Sequence, residues 1–177
     1  MTLDLPRISW IDAEAARVEH EQAEMQRWAP DMHWRTDLAW PDGRPGAGWK
    51  GLVAAWGADR PEPPGVANLL RGRRLCLRVI CPEAFPMVAP DLYPIDPEVP
   101  IDRRTQHKWH VNGDGSLCLM QAADIWQPEN TVADLVRKAA GWYIEYLLVD
   151  GGDLDRMTER GIYVSDEIDA LLAAKFG

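Results

Sequence analysis

The residues best suited to chemistry fall within twelve positions: His107, His110 and Cys118, with the turn-like NGDGS of Asn112–Ser116 between them. A cysteine thiolate is a strong nucleophile at neutral pH. An imidazole can accept or donate a proton in the same pH range. Gly115, just before Leu117-Cys118-Leu119, favours a turn that presents the thiol at the surface instead of burying it. Taken by themselves these residues invite two chemistries, a zinc site and a cysteine peptidase. His107-x-x-His110 with Cys118 supplies only three zinc ligands and lacks a fourth. A peptidase would need an orienting or oxyanion motif that is not written nearby. Neither a metal nor a cofactor is therefore expected. Cys76 and Cys81 lie inside an alternating strand pattern and read as core residues.

An odd count of three cysteines is no disulfide framework, so the chain reads as a protein of a reducing, cytoplasmic compartment. The first residues, MTLDLPRISW, lack the basic-then-apolar order of a signal peptide. The most apolar run, Ala139–Val149, is interrupted by Glu145 and is too short to span a bilayer. A length of 177 residues with 46% hydrophobic composition suits one domain with a real core. The net charge of −9 argues against nucleic acid or an anionic membrane as partner. That charge is uneven. Residues 1–70 carry −4 and residues 111–177 carry −7, while residues 71–110 carry +2.

The positioning elements follow from periodicity. Ile11 to Trp28 reads as a helix ended by Pro30. Met32–Trp40, Trp49–Trp56 and Arg73–Cys81 read as strands of an antiparallel meander, separated by PDGRPGAG and GADRPEPPG. Leu75, Leu77, Val79 and Cys81 form one face of the third; Arg74, Cys76, Arg78 and Ile80 form the wetter one. Pro82–Pro100 holds six prolines and reads as a long irregular segment, followed by a polar stretch to Ser116. A second helix starts at Thr131 as N-cap and buries Val132, Leu135, Val136, Ala139, Trp142, Tyr143, Tyr146 and Leu147. A last helix is expected from Ser165. The layout is α+β, in a single domain over 1–177, with a core over about 11–150 and a helical extension over 151–177.

Phe85-Pro86 is followed by Pro90, Gly115 precedes Leu117-Cys118-Leu119, Trp126 lies eight residues past Cys118, and Pro128 and Thr131 follow. In these offsets the chain resembles the ubiquitin-conjugating enzymes over roughly residues 11–150. The resemblance implies that family's fold: an N-terminal helix, an antiparallel meander, a long active-site loop and C-terminal helices. It implies that Cys118 accepts a ubiquitin-like protein as a thioester from an adenylating enzyme and passes it to a lysine amine of a target. Trp126, Pro128, Asn112 and Gly115 would support the active-site segment.

The departures matter too. The family's upstream His-Pro-Asn is absent. His110 stands at the Asn position, eight residues before Cys118, with Trp109 and Lys108 before it. This histidine resembles the divergent bacterial members, and could donate to an oxyanion, act as a general base or organise the loop. Asn112 reads as a turn residue. Met120 stands where an acidic residue is frequent, and the loop with Asp150, Asp153 and Asp155 is the candidate replacement. The stretch DPEVPIDRRTQHKW lengthens the spacing before the cysteine; its Arg103, Arg104, His107 and Lys108 form either a contact surface or a solvated loop. The acids Asp12, Glu14, Glu19, Glu21 and Glu24 read mainly as a solvated helix face. Bacterial relatives are typically encoded beside an adenylating enzyme, a ubiquitin-like protein and a deconjugating peptidase, and several such sets act in antiviral defence. The alternative is an inactive domain of the same fold that scaffolds a ubiquitin-like protein.

Overall fold

The computed structural model describes residues 10–120 and 126–177. The chain begins with two helices, α1 (Trp10–Ala13) and α2 (Ala15–Trp28), where one was expected. They are parted at Glu14, whose φ of −129° and ψ of 53° leave the helical region. Glu21 and Met25 on α2 are buried, so Glu21 is not part of a solvated face.

Four antiparallel strands follow in the order β1 (Met32–Ala39), β2 (Pro45–Leu52), β3 (Cys76–Cys81) and β4 (Asp91–Asp96). The meander is as expected, but its membership differs. β2 begins at Pro45, inside the stretch read as a turn. Its glycines serve close backbone approach instead: a Cβ on Gly48 would stand 2.1 Å from the Val79 carbonyl. β4 lies within the proline-rich segment read as irregular. Its Pro94 is tolerated because β4 is an edge strand, and the β3–β4 register slips between Cys76 and Leu77.

On β3 the expected core face holds, with Leu77 and Val79 fully buried and Cys81 nearly so. The opposite face is drier than expected, because Ile80 is buried in a small cluster with Leu38, Tyr93 and the flank of Trp40. Cys76, at the strand's start, is half-buried and not a core residue.

A short helix not foreseen, α3 (Val66–Leu70), buries Val66, Leu69 and Leu70. After β4 come a 3₁₀ turn (Ile101–Arg103) and α4 (Gln106–Trp109), both within the stretch read as polar loop. The main helix, α5 (Val132–Asp150), begins at Thr131 as expected. Thr131 and Asp134 exchange side-chain-to-backbone hydrogen bonds in a capping box, an arrangement that stabilises a helix start by about 1 kcal/mol. Nearly every α5 side chain is buried, so the helix is the spine of the core.

The last helix, α6 (Asp169–Phe176), starts with Ile168 as its cap, later than the Ser165 expected. Ser165 instead accepts the Glu167 N–H at 3.3 Å in the turn before it. The extension joins the same core through Met157, Ile162, Ile168 and Leu172. Among the described residues no helix is long and apolar enough to cross a membrane.

Candidate active site

Cys118 is carried by a small hairpin docked on the edge of the sheet. Val111 and Leu117 form an isolated antiparallel bridge, and the Leu117 N–H donates to the carbonyl of Leu92 on β4 at 2.8 Å. The tip between them is tied by its own polar residues. The Asn112 N–H donates to the Ser116 carbonyl at 2.8 Å, and its side-chain amide donates to Ser116 Oγ at 2.9 Å. Asp114 accepts from the N–H and Oγ of Ser116 at 3.0 and 2.7 Å. Gly115 turns at φ +91°, which L side chains rarely adopt. Asn112 and Gly115 thus shape the hairpin, and neither lines the clefts beside the thiol.

The base of the hairpin brings the two expected catalytic residues together. The Cys118 N–H donates to the His110 carbonyl at 2.8 Å. His110 itself sits at φ 49°, ψ 45°, the left-handed region, where it ends α4. A non-glycine residue there is costly and is found where surrounding structure enforces it, frequently at functional sites.

Burial dominates the electrostatics of the pair. It raises the Cys118 thiol above its ordinary value. It also lowers the His110 imidazole below 6.5, assisted by repulsion from His107. Neither shift favours the thiolate–imidazolium pair that a cysteine peptidase employs.

Cys118 and His110 stand where two clefts meet. The narrower, of about 230 Å³, runs between α5 and residues 157–164, with Lys138, Trp142 and Glu145 on the helix side and Arg160 and Tyr163 opposite. The wider, of about 440 Å³, is bounded by Gln106, His107, Met120 and Arg156. Met157 and Glu159 belong to both.

The 157–164 wall is pinned from two sides. Glu145, 1% exposed, accepts the N–H groups of Thr158 and Ile162, each at 2.6 Å, and the Thr158 hydroxyl at 3.0 Å. Burial raises its carboxyl above the ordinary range, though the donors act the other way. Arg60 binds the carbonyls of Ile162 and Ser165 at 3.1 and 3.0 Å and grips Asp169 with both terminal nitrogens.

The other expected residues lie elsewhere. Trp126 donates its indole N–H to the Pro86 carbonyl at 2.7 Å and packs on Phe85. The Pro128 carbonyl accepts from Arg17 at 2.6 Å, and Arg17 in turn holds the buried Glu21, which accepts the Val132 N–H at the start of α5. The Phe85-Pro86, Trp126 and Pro128 elements are thus knit together and to α2, outside both clefts. Asp150 pairs with Arg103 at 2.5 Å and Asp153 pairs with Lys175. Neither acid lines the Cys118 clefts; the carboxylates that do are Glu145 and Glu159. Arg103 also covers Trp109, Arg104 reaches the Val99 carbonyl, and His107 meets Arg156 at 3.4 Å. Among the described residues no three His, Cys, Asp or Glu side chains are placed to hold a metal ion.

Periodicity could not find the 157–164 wall, which has none. A sequence signal did exist for Glu145, because a carboxylate inside an apolar helical stripe needs buried donors. Comparison with protein-family models, curated proteins and solved structures returns no match.

Proposed function

We propose that this chain is a cytoplasmic ubiquitin-conjugating-like transferase of bacterial type. It accepts the C-terminus of a ubiquitin-like protein on Cys118 as a thioester, from an adenylating enzyme, and passes it to a lysine amine of a target. Antiviral defence is the setting that the resemblance suggests. The observation that carries this reading is the pairing of Cys118 and His110 across the base of a hairpin, at the junction of two clefts. A transferase needs one opening for the acyl donor and another for the acceptor, and a peptidase-type ion pair is disfavoured. The helix, meander and spine helix suit a ubiquitin-conjugating-like fold, with the Phe85-Pro86, Trp126 and Pro128 motif residues packed together.

Cys118 is the nucleophile. Because its thiol rests protonated, its proton must leave as attack proceeds, and the neutral imidazole of His110 is the acceptor at hand. That proton goes on to the leaving group of the adenylating enzyme, so His110 is neutral again when the amine attacks. The imidazole then takes the amine's proton and delivers it to Cys118 Sγ as the C–S bond breaks.

Reconstitution with the adenylating enzyme and ubiquitin-like protein encoded in the same gene neighbourhood, with ATP, tests this. A DTT-sensitive adduct should form on the wild type, vanish in Cys118→Ala and persist as a DTT-resistant ester in Cys118→Ser. Charging that survives Cys118→Ala overturns the assignment, and the absence of any charging favours the scaffold alternative.

A further inference from the structure

The wider cleft beside Cys118 carries two opposite charges that do not meet. Arg156 and Glu159 both line it, and both are exposed. Among the described residues neither forms an ion pair. Arg156 Nη1 lies 3.4 Å from His107 Nε2 on α4, and the Met157 N–H donates to the Lys108 carbonyl at 3.1 Å, which holds this segment against α4. Gln106, on the same rim, has given its side-chain amide to Asn112 Oδ1 at 2.6 Å. The open polar groups are thus one guanidinium edge and one carboxylate.

A simple anion would meet Arg156 and be repelled by Glu159, and a simple cation would meet the reverse. A ligand bearing an ammonium and a carboxylate close together satisfies both. Met120 and Met157 line the same cleft and offer apolar surface to an alkyl stem between the two charges.

We infer that the wider cleft receives the acceptor and selects a lysine with an aspartate or glutamate next to it in the target. The inference rests on the thioester reading and names its acceptor class. Glu159, which shares both clefts with Cys118, is the counter-ion of the arriving ammonium. Arg156 takes the neighbouring carboxylate with Nε and Nη2, the donors that His107 leaves free. The contact with His107 already restricts the guanidinium, so less freedom is lost on binding.

The probe is a fluorescein-labelled pentapeptide with a central lysine followed by aspartate. Its comparison peptides carry asparagine in place of the aspartate, or acetyl-lysine in place of the lysine. Anisotropy measures binding of each to the uncharged full chain. The aspartate peptide should bind about two- to five-fold tighter than the asparagine peptide, and the difference should shrink at high salt. Arg156→Gln should bring that ratio to one. Glu159→Gln should keep the aspartate preference and lose the preference for lysine over acetyl-lysine. Cys118 is then acylated with a Gly-Gly peptide supplied as its mercaptoethanesulfonate thioester, and discharge to the same acceptors should follow the same order.

Equal binding of the aspartate and asparagine peptides, or a ratio unmoved in Arg156→Gln, overturns this inference and leaves the thioester reading standing. So does selective binding followed by discharge that ignores the aspartate. Failure to acylate a Cys118 that iodoacetamide still labels overturns the thioester reading, and the acceptor assignment with it.

Discussion

Glu145 Oε1 accepts the backbone N–H of Ile162 at 2.6 Å from a side chain that is 1% exposed. One buried carboxylate on α5 therefore fixes the wall facing Cys118. Glu145→Ala strands the N–H groups of Thr158 and Ile162, and an unsatisfied buried donor costs about 1–3 kcal/mol. For a chain of this size the loss corresponds to a fall in Tm of roughly 3–10 °C, measurable by calorimetry. Hydrogen exchange over residues 157–162 should accelerate more than exchange in the sheet.

The same carboxyl and that of Glu21 are both raised by burial. A carboxyl with a raised folded pKa binds more protons folded than unfolded, between its ordinary value and its raised one. Stability from these two groups is therefore greatest at or below the ordinary carboxylate range, and falls as pH rises through the raised values. Glu145→Gln fixes the neutral form and should flatten that decline. Denaturant melts of wild type and variant between about pH 5 and pH 7 compare the slopes. Equal slopes would show that Glu145 does not titrate in this window.

Cysteine reactivity should rank by environment. Burial raises Cys118 modestly and Cys81 far more. In the native protein, iodoacetamide at pH 8 should label Cys118 more slowly than an unperturbed thiol and leave Cys81 unlabelled until denaturant is added. Labelling of Cys118 should keep accelerating beyond pH 9.0, its ordinary value, as read by peptide mass spectrometry.

Because the His110 imidazole is held below 6.5, it remains a base through neutral pH. Discharge of the charged enzyme to free lysine should show an acid limb below that value. His110→Asn keeps a residue that tolerates the left-handed backbone but removes the base. It should slow discharge by about 10²-fold, erase the acid limb and leave the melting temperature near that of wild type. His110→Val should instead destabilise the fold by about 1–2 kcal/mol, because β-branched side chains resist positive φ. An unchanged pH profile in His110→Asn removes His110 from the chemistry.

Much of the scaffold was legible because its signals are local. The Thr131 cap, the apolar stripe of α5 and the alternation of Leu75 to Cys81 each declare themselves within a few residues. β4 did not, because four prolines around it outweigh its Leu92-Tyr93 core until its edge position is known. The Cys118–His110 pairing was legible as an offset of eight residues, and the hairpin explains that offset as a backbone hydrogen bond. Asp150 and Asp153 drew attention as a cluster, yet their partners Arg103 and Lys175 come from distant segments. Glu145 and Glu159 reach the clefts only through tertiary folding of residues 151–168.

The docking of the Cys118 hairpin on β4 bears on self-association. A bare strand border is a template for another chain, and one border of this sheet is partly occupied by Leu117 and interrupted by Pro94. The other, β1, breaks register between Arg35 and Leu38 and displays the Arg35–Asp37 ion pair. Neither border offers a long, regular ladder, so fibrillar polymerisation through the sheet is discouraged at both ends. The proposed nucleophile Cys118 and the cover on the β4 border are thus parts of one short hairpin.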